Sequence, residues 1–235
     1  IILYYLMCVR LFLTIFIIFV SFSGICITTS TSEFENNKVN IILFKKSKNQ
    51  LQFGINYNLQ PGWKVYWKYP GDSGLAPQIV LLDKNIKASL EVKWPLPKEL
   101  YEKEVDLTSR VYTNQVLIPF NITLDEKNYN EINNLNFKLD YQICDNICIP
   151  VETNLSIKIP KSDYYNENQY GLLKEFEKLV PKPLSESENI FLKKIKKNEN
   201  RLYIQLNLKD KKVEKKNIYA FAISNKIPVM RNVGY

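Results

Sequence analysis

Between residues 39 and 160 apolar and polar side chains alternate in short runs, the pattern of strands that bury one face and wet the other. In LQFGINYNL, Leu51, Phe53, Ile55, Tyr57 and Leu59 fall on one side; in LNFKLDYQI, Leu135, Phe137, Leu139, Tyr141 and Ile143 do the same. Further strands are predicted over 39–44, 63–69, 77–82, 88–93, 111–120 and 154–159. Turn signals separate them: Pro61-Gly62, Pro70-Gly71-Asp72, Trp94-Pro95-Leu96-Pro97 and the asparagine-rich run 128–136. Many short strands with regular turns and no long helix specify an all-β fold, an immunoglobulin-like antiparallel β-sandwich.

The pattern changes after residue 160. KSDYYNENQY, residues 161–170, is polar and reads as a linker, after which Leu172, Leu173, Phe176, Leu179 and Val180 recur at helical spacing until Pro181 ends the run. Alternation returns in RLYIQLNL, with Leu202, Ile204, Leu206 and Leu208 on one side, and again over 218–223. The chain therefore divides into a sandwich over 31–160, a linker and short helix over 161–184, and a partial second β-rich domain over 185–235.

Ahead of the sandwich, residues 1–30 have the layout of a secretory signal peptide: Arg10, then the apolar LFLTIFIIFVSF, then small and polar residues from Ser23 to Ser30. A retained membrane anchor competes with cleavage, because the apolar character reaches back to Ile1 and a span takes about 20 such residues. Cys26 follows the bulky Ile25, which does not suit a lipidation site. The chain opens without Met, Met7 being a candidate start, and stops at Tyr235 inside the second unit, so it reads as a gene fragment or one with a misplaced start. Export points to the periplasm.

Charge and composition exclude several functions. The net charge of +8 is spread along the chain, which describes a solvated surface; no nucleic-acid partner is expected, and the protein should be a monomer. Histidine is absent, which removes Ser-His and Cys-His nucleophile pairs and any His-bearing zinc site. Gly71-Asp72-Ser73-Gly74 has the look of a serine-protease motif without its base and reads as a tight turn. Glu99, Glu102, Glu104 and Asp106 read as a charged loop rather than an acid/base pair. Trp63, Val65 and Trp67 share one strand face and Tyr66 the other, so the aromatics read as packing, and Trp94 as a structural anchor.

Loss of the leader takes Cys8 and Cys26 with it and leaves Cys144 and Cys148, in a compartment where disulfides persist. Three residues separate them in YQICDNICIP, between two predicted strands. A bridge over so short a loop removes about 2 kcal/mol of unfolded-state entropy, against roughly 4 to 5 for one across the domain. Spacing alone leaves a structural staple and an exchanging redox pair both open. Linear two-thiolate Cu(I) is a third reading, since soft ligands suit it. With Asp145 adjacent and no histidine, Cys144 has no activator visible in the sequence.

YQICDNICIP with Val151 and Glu152, the upstream PGWKVYWKYPGDSG, KWPLP and RVYTNQVLIP, in that order, resemble the amino-terminal domain of the DsbD family of thiol:disulfide interchange proteins, nearest the branch that includes the copper-tolerance protein ScsB. The resemblance spans about residues 35–160. It implies a protein-disulfide reductase component in which Cys144 and Cys148 are the redox cysteines, without a cofactor. Electrons would come from a membrane-embedded DsbD-like donor and pass to thioredoxin-like periplasmic proteins serving disulfide isomerisation, cytochrome c maturation or copper tolerance. It also implies a cap loop over the disulfide at 101–107, with Tyr101, Val105 at the tip where some members carry an aromatic, and Leu107. Tyr66, Asp145 and Pro150 are the expected neighbours of the pair. The alternative is a non-catalytic binding or copper-handling sandwich with a structural disulfide.

Overall fold

The computed structural model describes residues 29–35, 37–182, 190–198 and 201–209. Residues 1–28 of the leader, with Cys8 and Cys26, and the strand expected at 218–223 lie outside the described residues; Thr29 and Ser30, assigned to the leader from the sequence, bond instead to the sandwich at Ile157 and Ser156. Among those described, no helix is long and apolar enough to cross a membrane.

In chain order the first seven strands are β1 (Thr31–Phe34), β2 (Asn37–Ser47), β3 (Gln50–Asn58), β4 (Lys64–Gly71), β5 (Gln78–Leu81), β6 (Ala88–Val92) and β7 (Lys98–Glu102). There follow β8 (Leu107–Thr113), β9 (Gln115–Leu124), helix α1 (Glu126–Glu131), β10 (Asn134–Cys144), β11 (Cys148–Lys158), β12 (Tyr164–Tyr165) and helix α2 (Glu167–Glu177). A hairpin of β13 (Ile190–Asn198) and β14 (Arg201–Leu208) closes the described chain and forms its own two-stranded sheet.

Two antiparallel sheets make the sandwich. One runs β1-β2-β3-β9-β6, with β12 added to β2; the other runs β11-β10-β4-β8-β7, with β5 added to β10. The two faces read from alternation meet in the core: Leu51, Phe53, Ile55, Tyr57 and Leu59 from one sheet, and Leu135, Phe137, Leu139, Tyr141 and Ile143 from the other, are all buried. Phe53 stacks on Phe120 at 5.1 Å, and Phe137 meets both edge-on at 5.9 and 5.7 Å. Such pairs add to the area that large aromatics bury.

The structure departs from the sequence reading at several boundaries. The strand predicted over 111–120 is two strands in different sheets, parted at Asn114, whose backbone is left-handed with φ 62°. Asparagine tolerates that conformation; with no glycine or proline beside it, the crossing from sheet to sheet is marked only by the polar run Thr113, Asn114 and Gln115. β1, β7, β12 and the first half of β11 also went unread. The charged segment at 98–102 is strand β7, and its Glu99 pairs with Arg110 at 3.3 Å. In the asparagine-rich run lies α1, capped by Asp125, whose carboxylate accepts from Asn128 N at 2.8 Å.

The polar stretch 161–170 is held down rather than free. Lys46 is buried and its Nζ donates to the carbonyls of Pro160 and Lys161 at 2.7 and 3.2 Å; burial lowers its pKa. Beyond it β12 pairs with Lys45 and Lys46, and Asn166 caps α2 by accepting from Gln169 N. The helix lays Leu173 on Ile42, Phe44 and Leu117, on the outer face of the first sheet. Gly54 lies under that contact, where a Cβ would come within 2.6 Å of Leu117 Cδ1.

Candidate redox site

β10 and β11 pair through eleven consecutive positions without a shift, and the last pair is Cys144 opposite Cys148. Their Cα atoms are 4.2 Å apart and a disulfide joins them. That spacing belongs to the close pairs of an antiparallel ladder, those that do not exchange hydrogen bonds with each other, where side chains directly opposite come nearest. The strand register therefore brings the sulfurs together, and the three-residue turn, in which Asp145 N donates to Ile147 O at 3.1 Å, only closes the tip.

The two sulfurs sit in different surroundings. Cys144 is fully buried and packs with Tyr66 and Val111, whereas Cys148 is exposed at the start of β11, beside an Ile147 that is 68 % exposed. Tyr66 reaches them from β4. Because Val65 and Trp67 point into the core, Tyr66 points to the opposite face of its sheet, yet it is 1 % exposed. Its hydroxyl donates to Cys144 Sγ at 3.2 Å and lies 3.7 Å from Cys148 Sγ.

What buries Tyr66 is the turn read from Gly71-Asp72-Ser73-Gly74. Asp72 Oδ2 accepts from Thr108 N at 2.9 Å, and the Ser73 and Ser109 hydroxyls are hydrogen-bonded at 2.7 Å. Gly74, at φ +88°, lies flat on the ring, and a Cβ there would fall 2.2 Å from it. The turn is structural, and its task is to seat the tyrosine beside the sulfurs.

The expected cap residues lie on the β7-β8 hairpin. Tyr101 and Val105 are each 57 % exposed, and Leu107 is half-buried. The Tyr101 hydroxyl donates to Asp106 Oδ1 at 3.0 Å; that bond raises its pKa. The hairpin is tied toward the disulfide by Glu102, whose Oε1 accepts from Lys64 Nζ at 2.9 Å. Lys64 is the β4 partner of Cys144. Pro150 stands two residues beyond Cys148, exposed and opposite Gln142; Asp145 Oδ2 accepts from Asn146 Nδ2 at 3.2 Å.

Sequence reading thus named Cys144, Cys148 and Tyr66, which the fold brings within hydrogen-bonding distance, and overlooked Lys64, Val111 and Gly74. Lys64 was legible in principle, since it shares the Tyr66 face of β4 by alternation. Val111 comes from a distant segment and carries no local signal, and Gly74 was legible as part of a tight turn but not as a neighbour of Tyr66. The polar group that meets Cys144 Sγ is a buried phenol 78 residues away in the sequence.

No curated protein matches the chain. Its fold is similar to the crystal structure of the N-terminal periplasmic domain of ScsB from Proteus mirabilis, with a TM-score of 0.61 and 20 % identity, over 77 % of this chain and 69 % of that one. The family model described as thiol:disulfide interchange protein DsbD, N-terminal, matches residues 31–160. With a two-sheet sandwich carrying a paired Cys144 and Cys148 inside that span, the chain belongs to the DsbD amino-terminal domain family.

Proposed function

We propose that this protein is a periplasmic electron carrier in which Cys144 and Cys148 cycle between dithiol and disulfide, taking two electrons from a membrane-embedded DsbD-like donor and passing them to a thioredoxin-like acceptor. The observation that carries this reading is the asymmetry of the pair: an exposed Cys148 joined to a buried Cys144 that accepts a hydrogen bond from Tyr66. Exchange needs one approachable sulfur and one held in reserve. Residues 1–30 serve export, 31–160 carry the chemistry, 161–184 run along the sandwich and lead out of it, and 185–235 form a second β-rich unit.

In the reduced protein the Cys148 thiolate attacks one sulfur of the acceptor's disulfide. That S–S bond breaks, the acceptor's second sulfur leaves as a thiolate, and a mixed disulfide forms on Cys148. The Cys144 thiolate then attacks Cys148 Sγ, the acceptor leaves as a dithiol, and the Cys144–Cys148 bond closes. Two electrons and the two thiol protons have passed to the acceptor. The Tyr66 hydroxyl, already 3.2 Å from Cys144 Sγ, stabilises the thiolate that resolves the adduct. The hairpin bearing Tyr101, Val105 and Leu107 acts as a cap that moves aside, with Lys64 and Glu102 holding it closed.

The test is the midpoint potential of the pair together with single-cysteine trapping. A carrier should lie well above about −300 mV, where structural disulfides lie, and Cys144→Ala should retain a covalent adduct with a thioredoxin-like protein. A potential below that mark would leave a stapled sandwich, and an adduct kept only by Cys148→Ala would reverse the order of the sulfurs.

A further inference from the structure

We infer that the open edge of β11 beside Cys148 is the docking rail for an extended segment of the thioredoxin-like partner, whose backbone pairs with residues 148–154 and so sets its reactive sulfur on Cys148. The inference rests on the reading of Cys148 as the partner-facing sulfur.

β11 is the terminal strand of its sheet. At its far end the backbone of Ser156 faces outward: its carbonyl accepts from Ser30 N at 3.0 Å and its N–H donates to Ser30 Oγ at 2.6 Å. Across the ladder Asn136 faces the other way, its carbonyl accepting from Leu82 N at 2.8 Å and its N–H donating to Asp83 Oδ2 at 2.7 Å. Asn136 and Ser156 are therefore a pair that exchanges no hydrogen bonds. The register never shifts, so the same holds at every second pair, down to Cys144 and Cys148. The N–H and C=O groups of Cys148, Glu152 and Asn154 and the C=O of Pro150 consequently point off the sheet.

Thr29 and Ser30 cover this edge at 156–157, and among the described residues no strand pairs with 148–154 on the side away from β10. An edge with open backbone groups is a template for strand addition. Pro150 tunes it. Its missing N–H falls on the open side, where it costs the sheet no ladder bond and leaves a gap in the rail. β11 of a second copy would bring a second such gap from its own Pro150. A proline-free segment laid along 148–154 loses that one bond and keeps both backbone groups of Cys148, Glu152 and Asn154. The fitting partner is thus a protein with a reactive sulfur next to an extended stretch that offers its own N–H and C=O groups.

The experiment uses the whole chain carrying Cys144→Ala, joined through Cys148 to thioredoxin whose resolving cysteine is replaced, and compares amide hydrogen exchange with the same protein capped by glutathione. Exchange at Cys148, Glu152 and Asn154 should slow by about tenfold or more in the thioredoxin adduct alone. In parallel, Glu152→Pro, which deletes an outward N–H, should form the thioredoxin adduct about tenfold more slowly than Glu152→Ala, which keeps it. Both variants should react equally with an aromatic disulfide reagent. An adduct without amide protection, or equal thioredoxin rates for the two variants, overturns the rail. So does protection that appears in the free protein together with a dimer mass, which would make a second copy the occupant. Failure of the Cys144→Ala protein to form any thioredoxin adduct would instead sink the exchange reading, and this inference with it.

Discussion

Tyr66 shows how one side chain's surroundings decide what a disulfide can do. A phenol on the outer face of a sheet is ordinarily wet, but here the turn at 71–74 seals it, and its hydroxyl is aimed at Cys144 Sγ from 3.2 Å. A thiolate accepts a far stronger hydrogen bond than a disulfide sulfur does, so the contact favours the reduced protein. Tyr66→Phe removes the donor and keeps the ring. Loss of about 1.4 kcal/mol on the reduced side should move the midpoint potential down by about 30 mV. Equilibration against a thiol buffer reads the shift directly, and an unchanged potential would mean that Tyr66 only packs.

At the scale of elements, one ion pair ties the β7-β8 hairpin to β4, at the lysine that is the ladder partner of Cys144. Lys64 Nζ and Glu102 Oε1 are 2.9 Å apart, with the lysine side chain 14 % exposed and the glutamate 37 %. A pair so placed contributes under about 1 kcal/mol to global stability. Its effect on a hairpin end is larger in proportion, because local opening takes little free energy. Glu102→Gln should therefore leave the denaturation midpoint nearly unmoved while hydrogen exchange rises over 103–106. Reduction of the disulfide by a small dithiol should quicken several-fold, and an unchanged rate would argue that the hairpin does not gate the sulfurs.

For the molecule as a whole, α2 extends the sandwich beyond the residues that carry its alternation. Leu173 is fully buried against Ile42, Phe44 and Leu117. Leu173→Ala should cost about 2 to 3 kcal/mol and shift a single denaturant transition; an unmoved midpoint would mean that the helix comes away before the sandwich unfolds. The core also dictates behaviour in alkali. Burial pushes Tyr141 up to about 12 and raises Tyr57 and Tyr112 as well, against about 10 in an unfolded chain. Above pH ~10 the folded state holds more protons than the unfolded one, so the stability these groups contribute is intact below pH ~10 and lost as pH rises through their folded values. Urea midpoints should be flat to about pH 9.5 and fall beyond it, with phenolate absorbance appearing together with unfolding.

Alternation by itself determined the sandwich, since period-two burial is a property each strand carries locally: the Leu51 to Leu59 and Leu135 to Ile143 faces could be read before anything was known of their partners. The cysteine pair was legible too, because three intervening residues make a hairpin tip of two strand ends. Tertiary structure alone decided the rest. Whether Asn114 turns the chain into the other sheet, and whether polar residues at 164–167 pair and coil onto β2, depend on what waits across the gap. The same is true of the sulfurs: Cys144 is buried and Cys148 exposed because a tyrosine from β4, a valine from β8 and a glycine turn converge on one and not on the other, and contacts between segments so far apart in sequence leave no local trace in any of them.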